Sequence, residues 1–560
     1  MTTSSENNGP ATSPTIGPPR IVILGGGYGG IYTALKLQKA ARRGRIHLSL
    51  ISEENYFLAH PMLAEVVSGS IEPPHIVNPI RRMLPHIDFH QARIQAVEVE
   101  GRTVVINKHG GSTTYNRIPF DHLVIAVGSR TDLSRLPGMA EHAFPFKTLG
   151  DAFFLRNQLI SVLEEAEVET EPQAKQELLT FVVAGGGYTG VEVASEINSF
   201  TREAAKSYRQ IDPSEIKVIL LHRGSRILPV LPDRLAEFSH RVMERRGVEV
   251  RIGTSIMGAT AQSAILGNGE TISTRTLVVA LGSAPNPLLD ALPGAKGTRG
   301  RLLVDDTLSV PDCPGIWAVG DCAAVPDVRT GQTCPPTAQY AIRQARHVAR
   351  NILASVNGKS LRPFSHRNLG VFVPLGRFSG AAEVLGIKVS GFIAWWLYRS
   401  FYLYQLPRLE RKVRVITDWT LELFFHRDIV QMDIARSQGI SRAHYASGHT
   451  IYRQGELARN FYTILAGQAA VVRSENGVES PVATLGVGEY FGEVSLLQGG
   501  RHTASVRALA TTDLLVMSGP DFKALAASST QFAETLADVM QRRLSAGPSV
   551  ETGVDDDSEI

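Results

Sequence analysis

The chain has 560 residues, and at roughly 150 residues per domain this length predicts three or four folded units. Its 43% hydrophobic and 20% charged residues are typical of globular domains and exclude a disordered chain or a bundle of membrane spans. The net charge of +3 is too small to indicate a nucleic-acid-binding protein.

Two terminal segments are predicted to stay outside the folded units. Residues 1–19 are rich in Ser, Thr, Pro and Asn and contain no Lys or Arg, so they lack the basic and apolar regions of an export signal. Residues 546–560 carry three consecutive aspartates and too few apolar side chains to offset the entropy of ordering them. We expect a disordered N-terminal tail and an acidic C-terminal tail.

The first glycine-rich motif, residues 25–30, follows a short β-branched run and precedes a helix-like segment. In a strand–turn–helix unit, the first glycine permits the tight turn, the second lets the backbone approach a pyrophosphate, and the third lets the helix pack on the strand. Gly25, Gly27 and Gly30 stand at these three places. The amino end of the helix then faces the anion.

The same arrangement recurs about 160 residues later, at Gly185, Gly187 and Gly190. One such motif is a weak signal, but two in matching contexts predict two dinucleotide sites. A later apolar run ends in Asp321, whose carboxylate is suited to accept hydrogen bonds from sugar-like hydroxyls. Two apolar runs ending in Ala-x-Gly follow the motifs by about 100 residues and are expected to close the nucleotide sites, with Ala126, Gly128 and Gly282.

From residue 20 to about 355 this pattern resembles the two-dinucleotide flavoprotein disulfide-reductase superfamily. The resemblance implies FAD at the first motif, NADH or NADPH at the second, which lies in an inserted domain, and Asp321 at the ribityl chain of FAD. Members that reduce disulfides need a cysteine pair near the flavin. We interpret the three cysteines as small structural residues, so we expect no dithiol relay, no metal site and a reducing compartment; they are Cys313, Cys322 and Cys334.

Residues 336–344, Pro-Thr-Ala-Gln-Tyr-Ala-Ile-Arg-Gln, resemble a motif of type II NADH dehydrogenases, the single-subunit NADH:quinone oxidoreductases. In that family the motif lines the quinone pocket beside the flavin. The resemblance therefore implies that Gln339 and Gln344 contact the quinone, while the backbone at Ala338 touches the flavin edge. Glu192 matches a carboxylate near the nicotinamide. Two further segments resemble this family, residues 55–58 and 60–66.

Three places depart from the family pattern. Arg343 stands where a glutamine is usual, which leaves the identity of the quinone open. The acidic residue that holds the adenosine ribose of FAD is replaced by Ser52 with Glu53 beside it, and we assign that role to the pair. In the second unit, His222 and Arg223 replace the carboxylate that binds the 2′-hydroxyl of NADH. A 2′-phosphate, and hence NADPH, is therefore an open alternative.

Residues 391–427 hold ten of the chain's 39 aromatic residues, and basic residues and a proline interrupt the apolar runs. Arg399 is one of the residues that interrupt the runs, which are too short to span a bilayer, while Trp, Tyr and Arg together suit its headgroup boundary. The segment resembles the amphipathic anchor of type II dehydrogenases and is expected to lie flat on the membrane. A buried aromatic helix or a homodimer interface is the alternative.

From about residue 439, short β-like runs with regular turns predict an all-β domain. Residues 485–497 and 501–507 resemble the phosphate-binding cassette of cyclic-nucleotide-binding domains, although His502 replaces the usual phosphate-binding Arg. A neutral His donates one hydrogen bond where Arg offers a charged fork, so binding of cAMP or cGMP stays open against a degenerate interaction module. The candidate ligand residues are Gly492, Glu493, Arg501, His502 and Thr503.

The sequence thus predicts an α/β fold with two Rossmann-like dinucleotide-binding domains, amphipathic membrane-associating helices and an all-β, jelly-roll-like cyclic-nucleotide-binding domain. The expected segments are an FAD-binding domain (20–150 and 301–365), an inserted NAD(P)H domain (151–300), a membrane-associating segment (366–430) and the C-terminal domain (439–545).

The predicted function is hydride transfer from NAD(P)H to FAD and passage of two electrons to a membrane quinone without proton pumping. We expect a peripheral protein at the cytoplasmic face of the cell membrane, with a cyclic nucleotide as a regulator. The alternatives are a soluble NAD(P)H-dependent reductase of another acceptor and a sensor of redox state and cyclic nucleotide.

Overall fold

Parallel strands that end in glycine turns organise both units of the chain in the computed structural model. The first unit holds residues up to 131, 147–152 and 282–427, and the second holds residues 132–146, 153–281 and 428 onward. Apart from residues 17–19, both predicted tails fall outside the described residues. The structure describes residues 17–108, 115–133, 136–281, 284–366, 370–432, 441–456, 458, 460–475, 478–498, 501–519 and 521–522.

The first unit is built on a seven-stranded sheet with Arg20–Leu24 near its centre. Ile21 to Leu24 are all buried, as in parallel sheets that are covered on both faces. Five strands are parallel, and two further strands pair antiparallel at one edge. In sheet order the strands are Ile316–Ala318, His122–Ile125, Arg20–Leu24, His47–Ser52, Asp88–Glu98, Thr103–Lys108 and Tyr115–Pro119.

Helix Tyr28–Arg42 packs with helix Ala338–Val356 in the core of the first unit, where Ile31 and Ile352 are buried. The short strand pairs are Tyr56–Leu58 with Val77–Pro79, Ser129–Arg130 with Ala284–Pro285, and Leu302–Leu303 with Ala323–Ala324. A three-stranded antiparallel sheet consists of Gly370–Pro374, Gly380–Val384 and Ile387–Ser390. The other helices are Leu63–Val67, Ile80–Met83, Phe392–Gln405 and Leu409–Phe424.

The second unit contains a five-stranded parallel sheet in which a fully buried strand again leads to a glycine turn. In sheet order its strands are Ala143–Pro145, Thr276–Val279, Thr180–Ala184, Lys217–His222 and Val248–Ile252. An antiparallel sheet consists of Ile256–Ala259, Ser263–Leu266 and Thr271–Ser273. The helices are Met139–His142, Leu149–Val168, which begins in the first unit, Pro172–Leu178, Tyr188–Ala204 and Asp233–Arg245.

The C-terminal part of the second unit is formed by two four-stranded antiparallel sheets and helix Glu493–Gln498. One sheet has the order Ser441–Tyr445, Thr512–Ser518, Asn460–Ala466 and Tyr490–Phe491. The other has the order Thr450–Tyr452, Ser505–Ala508, Ala469–Glu475 and Val478–Leu485. The predicted α/β fold with a β-rich C-terminal domain is therefore confirmed.

Two segments belong to a different unit from the one that the predicted domain boundaries imply. Residues 282–300 were assigned to the NAD(P)H domain but belong to the first unit, because Leu289 and Leu292 lie in its core. Residues 132–146 were assigned to the FAD domain but belong to the second unit, because Met139 and Ala143 lie in that unit's core.

Candidate active site

The first glycine turn leaves room only for glycine at two of its positions. Gly25 has φ +107°, and a Cβ there would lie 2.3 Å from the carbonyl oxygen of Ala126. A Cβ on Gly30 would lie 1.9 Å from the carbonyl oxygen of Gly25. At Gly27, by contrast, no described atom lies within 4 Å of the place of a Cβ. The backbone at the start of the following helix is therefore open to a ligand, which is the geometry that a pyrophosphate requires.

The second glycine turn repeats this geometry. Gly185 has φ +125°, and a Cβ there would lie 2.3 Å from the carbonyl oxygen of Ala280. A Cβ on Gly190 would lie 1.7 Å from the carbonyl oxygen of Gly185, while a Cβ on Gly187 would meet nothing within 4 Å among the described residues. Gly282, expected to close this site, lies outside the described residues.

The end of strand His47–Ser52 lies beside the first turn. Ser52 is buried, and a Cβ on Gly26 would lie 2.5 Å from its Oγ. Glu53 is half-buried, and its Oε1 lies 3.6 Å from Arg93 and 3.7 Å from Arg130. Of the pair expected at the adenosine ribose, Ser52 is thus the residue against the turn, while two guanidinium groups surround the carboxylate of Glu53.

A chain of polar groups connects Lys147 with Asp321 through Ser129, the first residue of strand Ser129–Arg130. Lys147 Nζ donates to Ser129 Oγ at 2.8 Å, and Ser129 Oγ donates to Asp321 Oδ2 at 3.3 Å. Burial lowers the pKa of the Lys147 ammonium, and the carboxylate of Asp321 opposes this effect. Burial lowers the pKa of the His60 imidazole, and the charge of Lys147 lowers it further. The ring therefore lies near the same polar groups. The sequence motifs identified Asp321 but gave no signal for Ser129 or Lys147.

The two glutamines expected at the quinone have different surroundings. Gln344 is only 2% exposed, and its Oε1 accepts a hydrogen bond from the Gly320 N–H at 2.8 Å. This contact holds the turn that presents Asp321 and differs from the expected contact with a quinone. Gln339 and Ala338 are half-buried in the first turn of their helix.

At the second nucleotide motif, His222 lies where a carboxylate is usual. Its Nδ1 accepts a hydrogen bond from the Gly186 N–H at 3.2 Å. Burial and the neighbouring Arg223 lower the pKa of His222, so the ring is mainly neutral at pH 7. Arg223 itself is exposed. Glu192 is half-buried near Tyr188, whose pKa is raised by burial and by the charge of Glu192.

Two helices, Phe392–Gln405 and Leu409–Phe424, are here called the helix pair. Buried charged side chains connect them to the rest of the first unit. Arg399 Nη2 lies 2.6 Å from Glu65 Oε2 and 3.0 Å from Glu422 Oε2. Arg399 is 5% exposed. Arg399, which interrupts the apolar run in the sequence, therefore lies in the interior, because the carboxylates of two other helices hold it there.

The same cluster, here called the buried ion cluster, extends to Arg427, which lies 2.9 Å from Glu422. The guanidinium of Arg399 also lies over the rings of Trp395 and Trp419, at 4.0 and 4.6 Å from their centroids. Burial opposes ionisation of Glu422, but Arg399 and Arg427 outweigh it, and the pKa of this carboxyl is lowered. The cluster is therefore a charged network inside the protein.

The helix pair also presents a set of large apolar side chains to solvent. A wholly buried aromatic helix is thereby excluded, although Trp395 and Tyr398 are buried. Within the described parts of the chain, every helix is too short or too polar to cross a membrane. The exposed residues are Phe392, Ile393, Trp396, Tyr404, Leu409, Val413, Ile416, Leu421, Leu423, Phe424 and Phe425.

The cassette in the C-terminal domain is folded around its own side chains. His502 is buried and stacks on Tyr452, with ring centroids 3.6 Å apart. Burial lowers the pKa of His502 to about 4, so the ring carries no charge at pH 7. Arg501 Nη1 donates to the carbonyl oxygen of Gly455 at 2.8 Å. The two residues expected at a cyclic phosphate are thus a neutral stacked ring and an arginine bound to backbone.

The remaining cassette residues have different degrees of exposure. Glu493, one of the candidate ligand residues, is buried at the start of helix Glu493–Gln498, and Gly492 has φ +92°. Thr503 is exposed.

Elsewhere in the second unit, Tyr445 of the C-terminal domain donates a hydrogen bond to Glu141 Oε2 of helix Met139–His142. Burial raises the pKa of Glu141 to about 7, although the hydrogen bond from Tyr445 lowers it. The two residues are 304 positions apart. No motif in the sequence indicated this contact.

Comparison with known proteins matches two families. Residues 19–345 match the pyridine nucleotide-disulphide oxidoreductase family, and residues 442–529 match the cyclic nucleotide-binding domain. A probable NADH dehydrogenase of Dictyostelium discoideum is 32% identical over 73% of this chain and 90% of its own length. The type II NADH:quinone oxidoreductase Ndh of Mycobacterium tuberculosis is 30% identical over 77% of this chain and 94% of its own length.

The fold is similar to the solved structure of NDH2 from Plasmodium falciparum in complex with NADH. The TM-score is 0.67 at 19% sequence identity, and the match covers 74% of this chain and 99% of that one. At this identity the likeness concerns the fold alone.

Proposed function

We propose that this chain transfers electrons from NADH to a membrane quinone through FAD. The premise is that the chain belongs to the pyridine nucleotide-disulphide oxidoreductase family and is a type II NADH dehydrogenase. The observation that carries the proposal is the pair of glycine turns with the same geometry. In each turn the first and the last glycine of the motif exclude any side chain, while the place of a Cβ on the glycine between them, Gly27 or Gly187, is open. This arrangement supports one dinucleotide per unit.

The residues of the first unit fit FAD. The backbone at Gly27 would receive the pyrophosphate, Ser52 and Glu53 the adenosine ribose, and Asp321 the ribityl hydroxyls. Gln344 acts on this site indirectly, because its hydrogen bond from Gly320 fixes the turn before Asp321. Bound FAD supplies the redox chemistry, accepting two electrons as a hydride and passing them on.

In the second unit, the backbone at Gly187 would receive the pyrophosphate of the nicotinamide cofactor, and Glu192 would orient the nicotinamide. We propose that the site accepts NADPH as well as NADH. His222 is neutral and takes the place of the carboxylate that would repel a 2′-phosphate, and Arg223 is exposed beside it.

For the second half-reaction we propose that Gln339 contacts the quinone, with the half-buried Arg343 on the same helix tuning which quinone is preferred. The exposed apolar side chains of the helix pair would dock on the membrane that carries the quinone, at its cytoplasmic face. A homodimer through the same face is the competing arrangement. The C-terminal domain would modulate turnover on binding a cyclic nucleotide.

The test is stopped-flow absorbance of the purified protein. We expect released flavin to be FAD, and the flavin to be bleached by NADH and reoxidised by a quinone. A protein without flavin, or a reduced flavin that no quinone reoxidises, would contradict the proposal. The second outcome would favour a reductase of another acceptor or a redox sensor.

The same measurement with NADPH tests the cofactor preference. We expect Arg223→Ala to lower kcat/KM for NADPH about tenfold relative to NADH, because a charge-assisted contact with phosphate is lost. Arg234→Ala, an exposed arginine in helix Asp233–Arg245, is the matched control. A ratio that is the same in both variants would exclude Arg223 as the phosphate ligand.

A further inference from the structure

Lys147 is an ammonium group inside the candidate flavin site to which the proposed function gives no role. Through Ser129 it is one hydroxyl away from the carboxylate of Asp321. Ser129 lies three residues after Ala126, whose carbonyl oxygen lies against Gly25 of the first glycine turn. The hydrogen bonds therefore connect Lys147 with two sides of the same site.

A second route leads from Lys147 to the same turn. The imidazole of His60 experiences the charges of both Lys147 and Asp321. The centroid of the His60 ring lies 6.5 Å from that of Tyr28, the residue that directly follows Gly27. Lys147 is thus half-buried and lies near groups of both the glycine turn and the Asp321 turn.

Flavin reduction changes the charge in such a site. Hydride transfer from NADH to FAD moves two electrons and one proton, giving NAD⁺ and a reduced flavin with one additional negative charge. A nearby cation in a partly buried place stabilises that charge, because the effective dielectric constant is lower than in water. Ser129 takes only one of the three N–H donors of an ammonium.

We propose that Lys147 is the cation that stabilises the reduced flavin and thereby raises its reduction potential. The hydrogen bond to Ser129 and the attraction to Asp321 hold the ammonium in place. The inference rests on the proposed function insofar as FAD occupies the first unit.

The experiment measures the flavin content and the two-electron reduction potential of the purified holoenzyme, by equilibration with a reference dye. In Lys147→Met we expect the equilibrium constant for flavin reduction to fall about tenfold, which is about 30 mV for a two-electron couple. Lys147→Arg keeps the charge and is expected to stay close to the wild type. The matched control is Lys36→Met, on the exposed side of helix Tyr28–Arg42.

An unchanged potential in Lys147→Met would overturn the proposal. So would loss of flavin from both the Met and the Arg variants, since the shape of the lysine would then matter and its charge would not. If only Lys147→Met loses flavin, the reduction potential of Ser129→Ala becomes the deciding measurement. This variant removes the hydroxyl that holds the ammonium of Lys147 and keeps the ammonium itself. A lowered potential in Ser129→Ala supports the proposal, and an unchanged one refutes it.

These outcomes are separate from failure of the proposed function. A wild-type protein that contains no flavin, or has no NADH:quinone activity, would sink the proposed function itself. A wild type with flavin and activity, together with an unshifted Lys147→Met, would sink only the role of Lys147.

Discussion

Gly27 and Gly30 are three residues apart in one turn, and the structure predicts opposite consequences for the same substitution. At Gly27 an added methyl group meets no described atom, so Gly27→Ala should unfold at the same temperature as the wild type when both are stripped of flavin. It should nevertheless lose flavin, because the methyl group occupies the place of the pyrophosphate. Gly30→Ala should be destabilised, because its Cβ would clash with the Gly25 oxygen.

Flavin content and thermal unfolding of the stripped proteins measure the two effects separately. Full flavin occupancy in Gly27→Ala would show that nothing binds closely against this backbone.

Glu141 makes the stability of the second unit dependent on pH. Burial raises the pKa of its carboxyl from 4.5 to about 7, so the folded state holds a proton that the unfolded state releases between these values. The stabilisation is complete below the unfolded pKa and is lost as the pH rises through about 7, at a total cost of about 3 kcal/mol. His142, Tyr445 and Tyr462 are titratable groups beside it.

We therefore expect Glu141→Gln to remove this loss of stability with rising pH. The variant should melt at nearly the same temperature at about pH 5 and about pH 8, whereas the wild type should melt lower at the higher pH. Equal pH dependence in the two proteins would show that Glu141 keeps its charge on folding.

At the level of elements, the exposed face of the helix pair predicts binding to lipid. Burial of one large apolar side chain contributes roughly 1.5–3 kcal/mol, so Trp396→Ser combined with Phe424→Ser should lower partitioning onto anionic vesicles more than tenfold. Cosedimentation with vesicles is the measurement. Val168→Ser, an exposed apolar residue of the second unit, is the control.

Activity with a short-chain, water-soluble quinone should stay unchanged in the double variant, since the substitutions leave Gln339 in place. Partitioning equal to that of the wild type would argue for a second copy of the chain as the partner of this face.

The first elements of the molecule could be predicted because their signals are local. The glycine turns need only a few adjacent residues, and each position that the physics assigns to glycine has the expected geometry at Gly25, Gly30, Gly185 and Gly190. The buried strands could be predicted for the same reason, from runs of consecutive apolar residues.

Long-range contacts could not be predicted in this way. The burial of Arg399 is one example, because its partner Glu65 is 334 residues away, and a single arginine in an aromatic run has no local feature that indicates burial. Lys147 and Ser129 become part of a site only when the chain brings them to Asp321, which is 192 residues beyond Ser129. Gln344 was recognised from its motif, but the direction of its side chain depends on the packing of its helix.

At the scale of the whole molecule, the structure of the C-terminal domain predicts that the protein binds cyclic nucleotides weakly. His502 is neutral and stacked on Tyr452, so it offers the cyclic phosphate no charge. His502→Arg should restore a charged fork and lower the Kd for cAMP or cGMP at least tenfold, as measured by isothermal titration calorimetry of the full chain. Glu493→Gln in that background should reverse the gain. Unimproved affinity in His502→Arg would favour an interaction module.

The buried ion cluster also restricts which substitutions this protein can accept during evolution. Glu65, Arg399, Glu422 and Arg427 come from separate segments, and replacing one of them unbalances the charge in the interior, at about 3–5 kcal/mol. An entirely apolar set of four could serve equally well, but single substitutions reach it only through unstable intermediates. Among inherited variants of this chain, the four positions should therefore change together or not at all.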